Sequence, residues 1–256
     1  KKGRLNPVSI KTPLINVMIL AVRKASKPVL RDYGEIDQLN TSKKGTESFV
    51  NKTEMKLNKI LLDELVKSRP EWSLLFRENN LRKGKDELHT WVIEPLDGVK
   101  NISHGIPYFS ISIAAMNENE VIAGVIYDPL RDEMFVSEKG NGSFVNDKRL
   151  RVSARKNIKN AIFSSNAPNA THDPDKKIHT SFKKIKHDNG EIRFLGSSAL
   201  DFAYVAAGRL DGLWHNCLDF CQIAAGSLII SEAGGMVNIK NNDTQLSFKK
   251  DIIAGN

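Results

Sequence analysis

The segment 91–101, with the sequence WVIEPLDGVKN, holds the side chains best suited to chemistry. Glu94 and Asp97 are three residues apart, and Pro95 and Gly98 place both carboxylates where a strand ends in a sharp turn. Carboxylate oxygens are the ligands that Mg²⁺ prefers, together with water and phosphate oxygens of a substrate. The spacing therefore predicts a site for a hard cation.

The backbone after this turn is also suited to an anion. The N–H groups of Gly98 and Val99 would face a phosphate if a helix begins there, because the first N–H groups of a helix have no partner within it. Taken alone, however, a turn of this kind is more often a plain surface turn. The motif by itself leaves both interpretations open.

Hydrophobic periodicity predicts the elements that position the turn. Apolar residues recur at helical spacing over 11–32, where Lys27 and Pro28 are expected to interrupt the helix, and over 52–68, where Thr53 is expected to be the N-cap. Two later helices are predicted over 199–208 and 223–233. Short runs rich in β-branched and aromatic residues predict strands over 89–94, 109–116, 121–127 and 133–137.

This order of elements indicates a layered mixed α/β fold. The chain has 256 residues, of which 40% are hydrophobic and 27% are charged, so its composition excludes a disordered or collagen-like chain. No internal repeat or long linker divides it. We therefore expect a single domain over 1–256, built from two α/β halves of roughly 1–152 and 153–256 that pack as one body.

The turn resembles the D-P-x-D-G-T-T-N signature of the inositol monophosphatase family, which is written E-P-L-D-G-V-K-N in this chain. The resemblance continues in order through HGIPYFSISIA, GVIYDPLRDEMFVSEKGNGSFVNDKRLRVS, GSSALDFAYVAAGRLDG and EAGG, and it covers residues 14–256. The chain is identified as a member of this family and is most similar to its bacterial SuhB-like branch.

The resemblance implies a layered αβαβα sandwich, usually a homodimer, that hydrolyses myo-inositol monophosphates with Mg²⁺. In the family, metal ions clamp the phosphate and generate the attacking water. Carried over by position, the implied metal ligands are Glu78, Glu94, Asp97 and the carbonyl of Leu96. The implied catalytic positions are Glu78, Asp97 and Val99, and the implied substrate-binding positions are Leu96, Asp97, Gly98, Val99, Arg193, His215 and Gln222.

Several positions depart from the family pattern. The signature threonine, whose hydroxyl orients the attacking water in the family, is Val99, and a metal-binding aspartate is Gln222. Asp219 would replace that aspartate only after a shift in register. Because a positioned proton acceptor contributes roughly 10²–10⁴ in rate, we expect a degenerate site with weakened Mg²⁺ binding and weak or no activity.

Two other functions remain open. Glu94 and Asp97 are still acidic, which favours an active phosphomonoesterase with an altered metal or substrate preference. The SuhB-like branch is associated with transcription, which implies contact with the transcription machinery or with RNA. The formal net charge of +8 and the lysines at 176, 177, 183, 184 and 186 are compatible with an RNA partner, although such a run is more often a solvated helix face.

Cysteine content and hydropathy favour a cytoplasmic protein without membrane contact. The chain contains two cysteines, which is typical of a reducing compartment. The apolar run over 14–22 is shorter than the roughly 20 residues of a membrane helix. His215, Cys217, Asp219 and Cys221 alternate, but a strand would spread them over about 20 Å. We therefore expect these four residues to pack in the core.

Overall fold

The computed structural model describes residues 12–39, 43–77, 80–166, 185, 187–240 and 249–256. The helices of these segments are α1 (Pro13–Leu39), α2 (Lys43–Ser68), α3 (Val99–Ser103), α4 (Ser198–Ala206) and α5 (Phe220–Glu232). None of them combines the length and the apolar character needed to cross a bilayer.

The first sheet has the strand order β2-β1-β3-β4-β5-β6-β7-β8. The neighbours β1 and β3, close to one edge, are parallel, and the other neighbours are antiparallel. The strands are β1 (Ser73–Phe76), β2 (Asn80–Arg82), β3 (His89–Asp97), β4 (Ser110–Asn117), β5 (Glu120–Asp128), β6 (Glu133–Glu138), β7 (Gly142–Val145) and β8 (Lys148–Arg149).

The second sheet has the order β10-β9-β11-β13-β12. The pairs β10/β9 and β9/β11 are parallel, whereas β13 is antiparallel to β11 and β12. The strands are β9 (Ile162–Ser165), β10 (Glu191–Arg193), β11 (Gly212–Leu218), β12 (Met236–Lys240) and β13 (Lys250–Gly255).

The first sheet is buried on both faces. Trp91 and Ile93 of β3 point to a core shared with α1 and α2, whereas Val92 between them points to a second core. This second core contains α4, α5 and the inner face of the second sheet, including Leu213. The described residues thus form a helix layer, a sheet, a helix layer and a sheet, which is four layers of the predicted five.

The expectation that helix α1 is interrupted at Pro28 was wrong. The helix continues through Pro28 to Leu39. A proline inside a helix removes one hydrogen bond and clashes with the preceding turn, at a cost of about 3 kcal/mol. Here Met18, Val22 and Val29, on either side of Pro28, are fully buried against the first sheet, and this packing offsets the cost.

The predicted start of α2 was also wrong. The helix begins at Lys43 rather than near Thr53, so Thr53 is not an N-cap. Thr53 is an interior residue of α2, and its side chain is buried. Its Oγ1 donates to Oδ2 of Asp32 in α1 at 2.5 Å. The sequence offers a capping residue type at this position, but the tertiary structure uses the hydroxyl to join α2 to α1.

The four predicted strands are all present as β3 to β6, with small differences at their ends. The difference that matters is at β3, which was expected to end at Glu94 and instead continues to Asp97. Its pairing with β4 is irregular between Glu94 and Asp97, around a proline that has no N–H to donate. Asp97 is therefore a buried residue of the sheet rather than part of an exposed turn.

Candidate functional site

Gly98 makes the sharp turn from β3 into α3. Its φ is +92°, a backbone conformation that residues with a side chain rarely adopt. A Cβ atom at this position would also lie 2.8 Å from the carbonyl oxygen of Tyr108. Both facts require glycine here, and they place Asp97 and Val99 on opposite sides of a tight junction between strand and helix.

Asn101 holds this junction against the rest of the fold. Its buried side-chain amide donates to the carbonyl oxygens of Tyr108, at 2.7 Å, and Leu195, at 2.8 Å. Leu195 lies just before α4, so one side chain joins α3 to two distant segments. The last residue of the E-P-L-D-G-V-K-N motif therefore has a structural role.

The carboxylate of Asp97 receives hydrogen bonds from two helices. Its Oδ2 accepts from Oγ of Ser197, the N-cap of α4, and from the backbone N–H of Ala199, each at 2.8 Å. Its Oδ1 accepts from Nε2 of Gln222, in the first turn of α5, at 3.4 Å. The residue is 3% exposed, so these donors satisfy a carboxylate that has little access to water.

Arg77 is the functional-site residue that the sequence reasoning missed. It directly follows β1, and the parallel register pairs Leu75 with Val92, which brings Arg77 level with Glu94. Its Nε lies 2.5 Å from Oε2 of Glu94. The only signal in the sequence is its position next to the implied ligand Glu78, which lies outside the described residues.

Three of the metal ligands that the family resemblance implies lie within the described residues, and the guanidinium of Arg77 faces all three. Besides Glu94, its Nη2 donates to the carbonyl oxygen of Leu96 at 3.2 Å and lies 3.8 Å from Oδ1 of Asp97. Glu94 is fully buried, and burial raises the pKa of its carboxyl to about 8, although Arg77 opposes the increase. The same carboxylates hold the pKa of Arg77 above its ordinary value.

A divalent ion does not fit beside the guanidinium in this arrangement. Mg²⁺ requires near-octahedral oxygen ligands at about 2.0–2.1 Å, and the assigned oxygens of Glu94, Leu96 and Asp97 already face Arg77. Oε1 of Glu94 is buried without a hydrogen-bond partner in the described part of the chain, but it is a single oxygen. The described residues also contain no group of three His, Cys, Asp or Glu side chains that could hold a metal.

Gln222 and Asp219 form the N-terminal cap of α5. The side chain of Asp219 accepts from the backbone N–H of Gln222, while Oε1 of Gln222 accepts from the backbone N–H of Asp219 at 3.1 Å. This reciprocal cap stabilises the first turn of the helix. It uses the Asp219 carboxylate at the helix terminus, so no shift in register brings it to the position of Gln222.

Val99 begins α3 and packs its side chain against the core formed by α1, α2 and the first sheet. It therefore brings an apolar group to the position immediately after the Asp97-Gly98 turn.

A comparison of the sequence with known families covers this turn and almost all of the chain: residues 10–256 match the sequence model of the inositol monophosphatase family.

The chain belongs to this family.

Individual relatives agree with this assignment. The inositol-1-monophosphatase of Mesorhizobium japonicum is 38% identical over 246 residues, which cover 96% of this chain and 92% of the relative. The Nus factor SuhB of Escherichia coli K12 is 32% identical over 244 residues, which cover 95% and 91%. These relatives confirm the predicted family and its SuhB-like branch.

Solved structures confirm the layered αβαβα fold. The crystal structure of the extragenic suppressor protein suhB from Bartonella henselae superposes with a TM-score of 0.83 at 38% identity, covering 96% of this chain and 94% of that one. The inositol monophosphatase from Anabaena superposes with a TM-score of 0.80 at 27% identity, covering 95% and 90%.

Two positions assigned to substrate binding by the family resemblance lie away from the turn in sequence. His215 is 1% exposed, with Nε2 at 3.1 Å from Oδ2 of Asp201, whose other oxygen accepts from the hydroxyl of Tyr108 at 2.7 Å. Burial raises the pKa of Asp201. Arg193 is exposed on the edge strand β10 and is ion-paired with Glu191. Their roles in substrate binding remain predictions.

The alternating residues 215, 217, 219 and 221 do not share one strand face. Strand β11 ends at Leu218, and its pairing is irregular after His215, where Cys217 has a φ of +55°. Cys221 lies in α5, where burial raises the pKa of its thiol to about 12. The irregular backbone thus separates side chains that a regular strand would align.

Proposed function

We propose that this chain is an inositol monophosphatase family protein whose hydrolysis of phosphomonoesters is absent or reduced by several orders of magnitude. The observation that carries the proposal is the valine that follows the Asp97-Gly98 turn. The Val99 side chain is half-buried against the apolar core, and as a valine it offers no hydroxyl to orient a water molecule. A missing group of this kind costs about 10²–10⁴ in rate.

The neutral side chain of Gln222 also supports the proposal. Its amide donates to Asp97 and closes the cap of α5, where the family resemblance expects an acid. In the family reaction a bound Mg²⁺ would supply the charge that clamps the phosphate and activates water, and a neutral amide would help less to hold it than a carboxylate. The retained residues of this chain hold the turn rigid, because Gly98 and Asn101 fix the junction between strand and helix.

The test is phosphate release from inositol 1-phosphate and a panel of other phosphomonoesters in excess Mg²⁺. We expect wild-type turnover below about 10⁻³ of that of the Mesorhizobium japonicum relative measured in parallel. Turnover in the ordinary enzyme range of about 1–10³ s⁻¹ on any ester of the panel would contradict the proposal. That result would instead favour an active phosphomonoesterase with an altered substrate preference.

A restoration series separates the contribution of the two substituted positions. Because Arg77 faces the same oxygens, the series is made in an Arg77→Ser background. Adding Val99→Thr and Gln222→Asp should raise turnover at least about 10²-fold. Val145→Thr, at the half-buried end of strand β7, introduces the same hydroxyl away from the pocket formed by Glu94, Leu96 and Asp97, and it should give no gain.

A second candidate function is a non-catalytic role in transcription. It is favoured by the relatives named Nus factor SuhB, which are 32–35% identical to this chain. Such a role needs a binding surface and no catalytic water. The lysines at 176, 177, 183, 184 and 186 that would serve it lie outside the described residues. A homodimer and contact with RNA or transcription proteins belong to this proposal.

A further inference from the structure

We propose that the guanidinium of Arg77 is the resident cation of this pocket and takes the place of a divalent metal ion. The inference deepens the proposed function, because it gives a reason why the pocket would not support metal-dependent hydrolysis. It has a separate basis, however, since it depends on Arg77 and not on Val99 or Gln222. It therefore has its own test.

The first argument is the identity of the contacted atoms. The guanidinium contacts a side-chain oxygen of Glu94, the backbone oxygen of Leu96 and, at 3.8 Å, a side-chain oxygen of Asp97. The family resemblance assigns these same three residues to the metal. A planar guanidinium presents N–H donors in a fork that matches several oxygens at once. One side chain thus faces the oxygens that the family resemblance assigns to a bound ion.

The second argument is burial. The Glu94 side chain is fully buried, whereas the Arg77 side chain that contacts it is 33% exposed. Burial disfavours the charged form of Glu94, and the contact to Arg77 favours that form without any ion from solution. A metal entering the site would have to displace the guanidinium and break its short contact with Oε2 of Glu94.

The third argument is that the backbone favours this contact. Strands β1 and β3 are parallel neighbours in register, with Ser73, Leu74 and Leu75 opposite Thr90, Trp91 and Val92. Continued by two residues past Leu75 and Val92, this register brings the backbone of Arg77, just after the end of β1, beside Glu94. The parallel pairing of β1 and β3 therefore favours the contact between the two side chains.

The experiment measures cation binding without a substrate. The melting temperature of the wild-type chain, stripped with a chelator, is followed during titration with Mg²⁺ and Mn²⁺, and free Mn²⁺ is counted by electron paramagnetic resonance. We expect no saturable change up to about 10 mM. Arg77→Ser should gain a saturable rise of about 5 °C at a concentration near 100 times its Kd.

Two further variants make the result specific. Arg209→Ser removes an ion-paired arginine that contacts Glu133, away from the pocket, and it should bind no more metal than the wild type. Arg77→Ser combined with Asp97→Asn should lose the gain, because it removes one of the oxygens. An equal gain in Arg209→Ser would show a non-specific charge effect and overturn the inference.

The wild-type titration decides the question even if Arg77→Ser fails to fold. Saturable Mn²⁺ binding below about 1 mM that Asp97→Asn abolishes would overturn the inference, and its absence up to about 10 mM supports it. The outcome is distinguishable from that of the hydrolysis assay. Metal binding without turnover would contradict only this inference, whereas turnover without metal binding would contradict only the proposed function.

Discussion

Single buried polar side chains hold the elements around the pocket at fixed positions. Asn101, Asp97 and Asp32 each make contacts with segments far away in the sequence. For such groups, loss of a partner costs more than the hydrogen bond contributes, because the remaining group stays buried. Of the three, Asp32 is the one whose pKa is shifted clearly by its partners, so its contribution to stability depends on pH.

Asp32 should make the chain less stable in acid. Burial alone would raise the pKa of Asp32, but hydrogen bonds from Thr53 and Arg31 and the charge of Lys56 hold it below its ordinary value. A carboxyl with a lowered pKa stabilises the folded state above its unfolded pKa of about 3.9, and this contribution is lost as the pH falls through the folded pKa. The contact between α1 and α2 is thus strongest at neutral pH.

Thr53→Val tests this contact. We expect the free energy of unfolding in urea to fall by about 1–3 kcal/mol at pH 7, and the difference from the wild type to shrink as the pH falls below about 4. Thr90→Val on the half-buried part of β3 is the control and should show no such pH dependence. A loss of equal size at every pH would contradict the role of the Asp32 charge.

At the scale of elements, helix α5 is packed between the two sheets at very short distances. A Cβ atom on Gly124 of β5 would lie 3.0 Å from Cα of Ala225 in α5, and one on Gly226 would lie 2.4 Å from Cβ of Phe202 in α4. Glycine at these positions lets the helices approach each other and the sheet. The same approach brings Gln222 near Asp97, so close packing also shapes the pocket.

Gly226→Ala should destabilise the chain. Alanine is favoured over glycine in a helix by about 1 kcal/mol, but the added methyl group would overlap Phe202, and overpacking of this kind typically costs about 1–3 kcal/mol. We expect a lower midpoint of urea unfolding. Gly34→Ala in α1 has no atom within 4 Å of the new methyl group and should raise the midpoint instead. Equal effects of the two substitutions would contradict the packing argument.

At the scale of the whole molecule, the buried core bears on how the chain folds, whereas the net charge bears on which partners it binds. One core cluster between the two sheets includes residues of α4 and α5, and the division into two halves that pack as one body stays a prediction. The net charge of +8 concerns partners rather than the fold, because surface charge acts mainly on association. An anionic partner such as RNA is therefore a property to test on the full chain.

RNA binding should depend steeply on salt if the lysine run is a phosphate-binding surface. Binding of a fluorescent single-stranded RNA should weaken by at least about tenfold between 50 and 200 mM salt, because bound lysines release counterions. Replacing Lys176, Lys177 and Lys183 by serine should remove most of this affinity. Serine at the exposed Lys59, Lys85 and Lys148 is the matched control. A flat salt response would exclude RNA as the partner.

The sequence by itself determined the family, the layered fold and the acidic turn, because these follow from local patterns: strand alternation, helical periodicity and a glycine-containing motif. Glu94, Asp97 and Gly98 lie within five residues and are recognisable without a structure. The valine and the glutamine that replace a hydroxyl and an acid are equally visible. What a local pattern cannot give is the partner of each group.

Only the tertiary structure decided those partners. Arg77 reaches Glu94 because two strands are parallel neighbours, and Gln222 reaches Asp97 across 125 positions of the chain. Pro28 stays inside a helix because the packing on both sides of it outweighs its local cost. In each case the deciding energy comes from contacts between residues distant in sequence, and these contacts exist only after the chain has folded.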